Sequence, residues 1–282
     1  MRTLIRALRD AALWALALLV LSPLLVTLGG SLMGSAELLR HVDAILPGGT
    51  GYARAPLLTL HPTLVQYAML LLDTPTFLAM FWNSAALVLP IVLGQALIGT
   101  LAAWGFARYR FPLRNSLFLL YIALMMMPFQ VTLVPSFLTL EALRLLDTRW
   151  AVILPGAFGT FAVFLLRQFF QAVPDALAES ARIDGAGELR IFARIGLPLC
   201  LPGVASLCAL SFLENWNLIE QPMTFLRDPG RWPLSLYLTQ IGQSNIDVAM
   251  GASVITLLPA LLVFIYCESY LIRGIQMSGL KE

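Results

Sequence analysis

Charge is missing from six long stretches of the 282-residue chain and crowded into the short segments between them. The charge-free stretches are Ala11–Ala36 (26 residues), Thr74–Ala107 (34), Asn115–Leu140 (26), Trp150–Leu166 (17), Ile195–Leu213 (19) and Val248–Cys267 (20). Crossing a ~30 Å hydrocarbon layer takes about 20 apolar residues in a helix. The shortest stretch is extended by Gln168, Phe169 and Phe170, so the pattern predicts six membrane helices. Ala55–Leu72 is also free of charge, but Pro56, His61, Pro62 and Gln66 fall within it. Two prolines near its start argue against a spanning helix. It reads instead as an extramembrane segment whose end, "LVQYAMLLL", forms a short interfacial or packed helix.

The expected organisation is one all-α membrane domain over residues 1–282. A leading helix and an outer segment at about 34–76, with "LPGGTGYARAP" as its loop, precede a five-helix core at about 77–273. Composition agrees: 59% of residues are hydrophobic, 12% are charged and the mean hydropathy is +0.82, whereas soluble domains carry about 25% charged residues. With the N-terminus inside, twelve of the eighteen basic residues fall on inner segments and six on outer ones. This bias places both termini in the cytoplasm. "MRTLIRALRDAALWALALLVLSPLL" has basic residues before an apolar run, but the run exceeds the 7–15 residues of a signal-peptide core and no clear cleavage site closes it. An uncleaved first helix is expected.

The composition also limits the chemistry. Cys200, Cys208 and Cys267 lie inside apolar runs without CxxC spacing, and the only histidines are His41 and His61. Neither a metal site nor a disulfide framework is expected. The same distribution argues against an intramembrane serine–histidine enzyme. A phosphate-binding P-loop needs a lysine after its glycines, and the only lysine is Lys281. An ion-driven transporter or channel remains the competing reading, although such proteins commonly carry charged relays deep in the bundle and these spans hold none. Pro90, Pro128, Pro135, Pro155, Pro202 and Pro259 fall within the predicted spans and should bend them. Gly99 with Ala103 and Gly156 with Thr160 supply small residues at a spacing that permits close helix contact.

Two clusters break the apolar pattern. In "SFLENWNLIEQPM", Glu214, Asn215, Trp216 and Asn217 stand beside Glu220 and Gln221; Glu214 lies roughly 24 Å along a helix begun at Pro198. Polar residues at that depth can line a pathway. The alternative is that the helix ends near Leu213 and these residues are solvated. The second cluster, at about 171–198, contains "AESARIDGAGELRIFARIGLP". Pro174 suits a first helical position and Asp175 its first turn. Glu179 and Arg182 are spaced to pair, and Gly185 can end the helix in the left-handed region. Leu189, Phe192 and Ile195 mark a second short helix from about Gly187 to Gly196, after which "LPLCLP" should turn the chain back into the membrane. Ala176, Ala178, Ser180 and Ala181 would give the first helix a smooth side for another protein. The whole reads as a capped hairpin of helices on the cytoplasmic side.

This hairpin resembles the signature loop of permease subunits of bacterial binding-protein-dependent ABC importers. The matching residues are Glu179, Ser180 and Ala181, then Asp184, Gly185 and Ala186, then Ile195, Leu197 and Pro198; Ser180 stands where the family has alanine. "FWNS" at Phe81–Ser84, "AWGFARYRFPLRN" at Ala103–Asn115, the Trp216–Met223 run and the ending "YLIRGIQMSGLKE" are similar to the carbohydrate branch, the maltose-type permeases. The resemblance implies the six-helix transmembrane domain of type I, MetI-like importers and a place in the bacterial inner membrane. It also implies ATP and magnesium on two copies of a separate cytoplasmic ATPase, with no cofactor on this chain. An external solute-binding protein and a second, different permease would complete the assembly; no nucleic acid is involved. Glu179 would pair with a basic group on the ATPase, Gly185 would allow the turn and Asp184 would stabilise the loop. The solute would be a sugar or a related compound.

Overall fold

The computed structural model describes residues 2–42, 52, 59, 61–244 and 246–279, all helical or irregular with no strand among them. Most of "LPGGTGYARAP", including Arg54, and Lys281 lie outside the described residues. The helices are α1 (Arg2–Ser31), α2 (Ser35–Val42), α3 (Val65–Ala68), α4 (Pro75–Arg108), α5 (Arg114–Met125), α6 (Phe129–Ala142) and α7 (Trp150–Ala157). They continue as α8 (Thr160–Ala172), α9 (Asp175–Ile183), α10 (Glu188–Ile191), α11 (Leu197–Trp216), α12 (Glu220–Phe225), α13 (Leu234–Ser244) and α14 (Ile246–Gly279).

Five helical segments have the length and hydropathy of a membrane span: Leu8–Ser31, Pro75–Arg108, Trp150–Ala172, Glu188–Trp216 and Ile246–Tyr270. The third predicted span is different. It folds as α5 and α6, bent by 102° around Met126–Pro128, and makes a sixth span only if the pair is counted as one. Pro128 supplies the break: it takes an extended conformation (φ −65°, ψ 142°) at the N-cap of α6, and proline also disfavours helical backbone in the residue before it. The other span prolines stay inside helices, and hydroxyls four residues on bond back to two of them. Ser206 Oγ donates to the carbonyls of Pro202 (2.8 Å) and Tyr270 (2.6 Å), and Thr139 Oγ1 donates to Pro135 (2.7 Å). Where α7 gives way to α8, Gln95 Nε2 donates to the Gly156 carbonyl at 2.8 Å, so a neighbouring helix satisfies a group freed at the break.

The chain divides into two compact units. The first comprises Met1–Ala79 with Tyr237–Leu258. Within it, Met33, Leu38 and Val42 pack with Ile246 and Met250, and Ser35 Oγ donates to Asp247. Residues 65–73 form α3 and a π-helical turn, with Gln66 and Leu70 buried. Gln66 Nε2 donates to the Met33 carbonyl. The expected short packed helix is therefore present. The second unit comprises Met80–Leu236 with Pro259–Glu282. Its main core gathers Ala103, Trp104, Phe106, Phe118, Leu166, Phe170, Ile191 and Leu207 from α4, α5, α8, α10 and α11. Small residues allow close contact there: a Cβ on Gly99 would sit 2.8 Å from Ala162, and one on Gly203 would sit 2.5 Å from the Phe169 ring.

Candidate functional site

The hairpin between α8 and α11 has the ends its sequence asks for, with two differences. Pro174 is the N-cap of α9 and not its first residue. The C-terminus closes as a Schellman turn: Gly185 has φ +79°, its N–H donates to Arg182 (3.0 Å), and the Ala186 N–H reaches Ala181 (2.9 Å). Glycine takes this conformation without the penalty a side chain would bring. The second helix does not stop at Gly196. It passes through a π-helical turn, Phe192–Gly196, directly into α11. The N–H of Leu197 donates five residues back to Phe192, a wider turn just ahead of Pro198. The expected turn at "LPLCLP" is therefore corrected to a continuous helix from Glu188 to Trp216.

The ion pairing also differs. Arg182 pairs with Glu188 across the glycine turn, Nε to Oε1 at 2.6 Å and Nη2 to Oε2 at 3.2 Å, and not with Glu179. The Glu188 carboxylate holds the Arg182 guanidinium above the ordinary arginine range. Tyr109 Oη donates to the same carboxylate at 3.1 Å.

Exposure divides the α9 residues between two sides of the helix. Ala178 is buried and Ala181 half-buried, both packed against the unit's own core. The supposed smooth side thus faces inward in part. Glu179, Ser180, Asp184 and Gly185 are exposed, and so are Leu177, Ile183 (87%) and Leu189 (76%). Ala186 and Ile195 pack against the core, Leu197 is half-buried, and Pro198 is exposed. Exposed apolar side chains on a polar hairpin form a surface suited to contact with another protein. The Asp184 side chain is exposed; its backbone N–H continues the helix bonding to Ser180 at 3.0 Å.

Behind the hairpin lies a residue that pattern reading did not single out. Arg108, the last residue of α4, has a side chain only 5% exposed. Its Nη2 donates to the carbonyls of Phe170 (2.9 Å) and Val173 (2.5 Å), its Nη1 donates to Asp175, and its guanidinium lies 5.4 Å from the Trp104 ring centre. The available signal was an arginine closing a 34-residue charge-free run, with a carboxylate at the start of the hairpin's first helix, 67 residues further on.

The four residues of the other cluster do not share one environment. Trp216 is buried, edge-on to Phe81 (5.5 Å) and stacked with Phe212 (5.3 Å). Asn215 is half-buried and donates to the Ser211 carbonyl (2.8 Å). Asn217 is exposed, caps α11 and donates to the Leu213 carbonyl (2.9 Å), while Glu214 is exposed. The helix therefore runs to Trp216, three residues beyond Leu213. Separately, a cavity of about 310 Å³ opens beside the α5–α6 bend, where Thr132, Ser136, Thr160 and Gln221 stand among Phe129 and Phe158. Gln221 Oε1 is buried there without a hydrogen-bond partner among the described residues.

Residues 95–273 match the family described as binding-protein-dependent transport system inner membrane component. The arabinooligosaccharides transport system permease protein AraQ of Halalkalibacterium halodurans is 31% identical over 271 residues, covering 94% of this chain and 93% of that one. The sn-glycerol-3-phosphate transport system permease protein UgpE of Yersinia pestis is 30% identical over 263 residues, covering 92% and 91%. In fold, the chain is similar to one from the crystal structure of a bacterial ABC transporter involved in the import of the acidic polysaccharide alginate. That match has a TM-score of 0.80 at 22% identity and covers 95% of this chain and 96% of that one. The chain belongs to the family of binding-protein-dependent transport system inner membrane components: it is a multi-pass permease subunit of an ABC importer.

Proposed function

We propose that this permease carries a carbohydrate or a related polar solute across the inner membrane, and that the α9–α10 hairpin is where a separate ATPase drives it. The hairpin then faces the cytoplasm, as the distribution of basic residues requires, and both termini lie on that side. ATP and its magnesium are handled by two copies of the partner ATPase, with the single lysine of this chain, Lys281, in no glycine-rich context. A second permease and an external binding protein complete the importer. The observation that carries the reading is the division of the hairpin into a side packed on its own bundle (Ala178, Ala181, Ala186, Ile191) and a side with Glu179, Ile183 and Leu189 exposed.

The solute class follows from relatives that transport arabinooligosaccharides and glycerol 3-phosphate, both rich in hydroxyls. The polar lining beside the α5–α6 bend and the Glu214–Asn217 cluster are the candidate stretches of the pathway; in the cluster Glu214 and Asn217 are the exposed members. A charge reversal tests the coupling role. Glu179→Arg should insert normally but lose ATPase co-purification and uptake of arabino-oligosaccharide or glycerol 3-phosphate. Co-purification and uptake at the level of the unaltered protein would refute the role given to Glu179.

A further inference from the structure

The last residue of α4, Arg108, and the one after it, Tyr109, hold both arms of the hairpin. Arg108 takes the base of the first arm: the carbonyls of Phe170, in the last turn of α8, and of Val173, between α8 and α9, and the Asp175 carboxylate in the first turn of α9. Tyr109 takes the start of the second arm through Glu188, which also binds Arg182 at the end of the first. Trp104 closes the set: its ring lies under Arg108 and its Nε1 donates to the Tyr109 oxygen at 3.4 Å. A Cβ on Gly196 would fall 2.5 Å from that ring, so the π-helical turn is seated directly on α4.

We propose that Arg108 and Tyr109 are positioning residues that force α4 to move with the hairpin, making α4 the element through which work done on the hairpin enters the bundle. This rests on the hairpin being the ATPase-driven element. Desolvation is the physical reason. The Arg108 charge is buried, and a buried charge separated from its partners is far more costly than an exposed one. If the base of α9 moved away, it would take the Val173 carbonyl and the Asp175 carboxylate from that guanidinium and leave the carbonyl without its donor. The joint therefore resists opening, and motion of the hairpin passes to α4 before it can be absorbed locally. The Tyr109–Glu188–Arg182 set is exposed, 41% and 44% at Arg182 and Glu188, and acts as a softer second tie that fixes the angle of the hairpin.

The test uses the assembled importer with its ATPase and second permease. Cys200, Cys208 and Cys267 are replaced, and spin labels are placed at Ser180→Cys on α9 and at Leu101→Cys, an exposed site on α4. The label-to-label distance should stay narrow and unchanged when Mg·ATP is added, because both sites move together. In Arg108→Gln and in Tyr109→Phe it should match the parent protein without nucleotide, then shift and broaden with Mg·ATP by roughly 2 Å or more, the scale of helix shifts in such transitions. Tyr109→Phe, which loses one hydroxyl, decides the matter should Arg108→Gln not accumulate in the membrane. A distance that changes with Mg·ATP in the parent protein overturns the proposal. So does a variant distance that stays narrow, or one already broad without nucleotide. Failure of the hairpin reading has a different signature: a label at Ile183→Cys that is not immobilised when the ATPase is added.

Discussion

The two ends of α4 solve the same problem with different chemistry. At one end Asn83, 6% exposed, donates to the carbonyls of Gly230 (2.8 Å) and Trp232 (3.3 Å) and accepts from Arg149 (2.9 Å). Its neighbour Ser84 accepts the Leu234 N–H at 2.8 Å. At the other end Arg108 collects two carbonyls and a carboxylate. In both places one buried polar side chain gathers carbonyls from a neighbouring stretch of chain: the loop at Gly230–Trp232 at one end, and the last turn of α8 with the residue after it at the other. The difference is charge. A neutral amide fixes a loop at moderate cost, whereas a buried guanidinium ties its segment far more tightly, because separating it costs desolvation as well as hydrogen bonds. The tight end is the end at the hairpin.

Breaking each end in turn sharpens that contrast. Arg108→Ala takes the donor from the Val173 carbonyl, one of two donors from the Phe170 carbonyl, and the partner of Asp175, so it should cost about 3 kcal/mol of stability. Asn83→Ala should cost about 1–2 kcal/mol, since Arg149 and the two carbonyls lie nearer the surface. Thermal unfolding of the purified protein in detergent should order them Arg108→Ala, Asn83→Ala, parent, from least to most stable. The reverse order would show that charge is not what distinguishes the ends.

A smaller effect is expected at the loop that Asn83 holds. Asp147, in the turn between α6 and α7, accepts the N–H groups of Asp228 and Arg227 at 3.0 Å each, with the Arg231 guanidinium nearby. The Asp228 N–H, then the Arg227 N–H and the Arg231 charge, hold its carboxyl below the ordinary value of 3.8. A carboxyl depressed by folding contributes its stability above its unfolded value, and that contribution is lost as the pH falls through the lower folded value. Protection of the Arg227 and Asp228 amides, taken relative to the intrinsic exchange rate at each pH, should therefore be high at neutral pH and step down below about pH 4. In Asp147→Asn the step should disappear. Persistence of the step in that variant would assign it to another group.

The sequence pattern located the spans and the hairpin because both depend on local chemistry: uninterrupted apolar length for the spans, and Pro174, Asp175 and Gly185 for the caps of α9. What it could not locate depended on neighbours distant in sequence. Whether Pro128 bends a span or breaks it is decided by surrounding helices, and here it breaks one by 102°. Arg182 had two carboxylates within reach along the chain, and the Schellman turn at Gly185 brings Glu188, not Glu179, to it. The alanines of α9 are apolar whichever way they face; Trp104, Phe170 and Ile191 in the core behind them determine that Ala178 points inward. "FWNS" and "AWGFARYRFPLRN" are among the stretches similar to the carbohydrate branch. The structure gives both a physical reason: Asn83 and Ser84 secure one loop, and Trp104, Arg108 and Tyr109 brace the hairpin.

Site-specific crosslinking from the hairpin tests the docking claim most directly. A photoreactive group on cysteines introduced at Ser180, Ile183 and Leu189 should join this chain to its ATPase in inside-out vesicles, and these positions should be labelled by impermeant reagents from the cytoplasmic side alone. The same group at the buried Ala178 should give no crosslink. Labelling from the external side, or failure of all three exposed positions to reach the ATPase in an importer that hydrolyses ATP, would contradict the account.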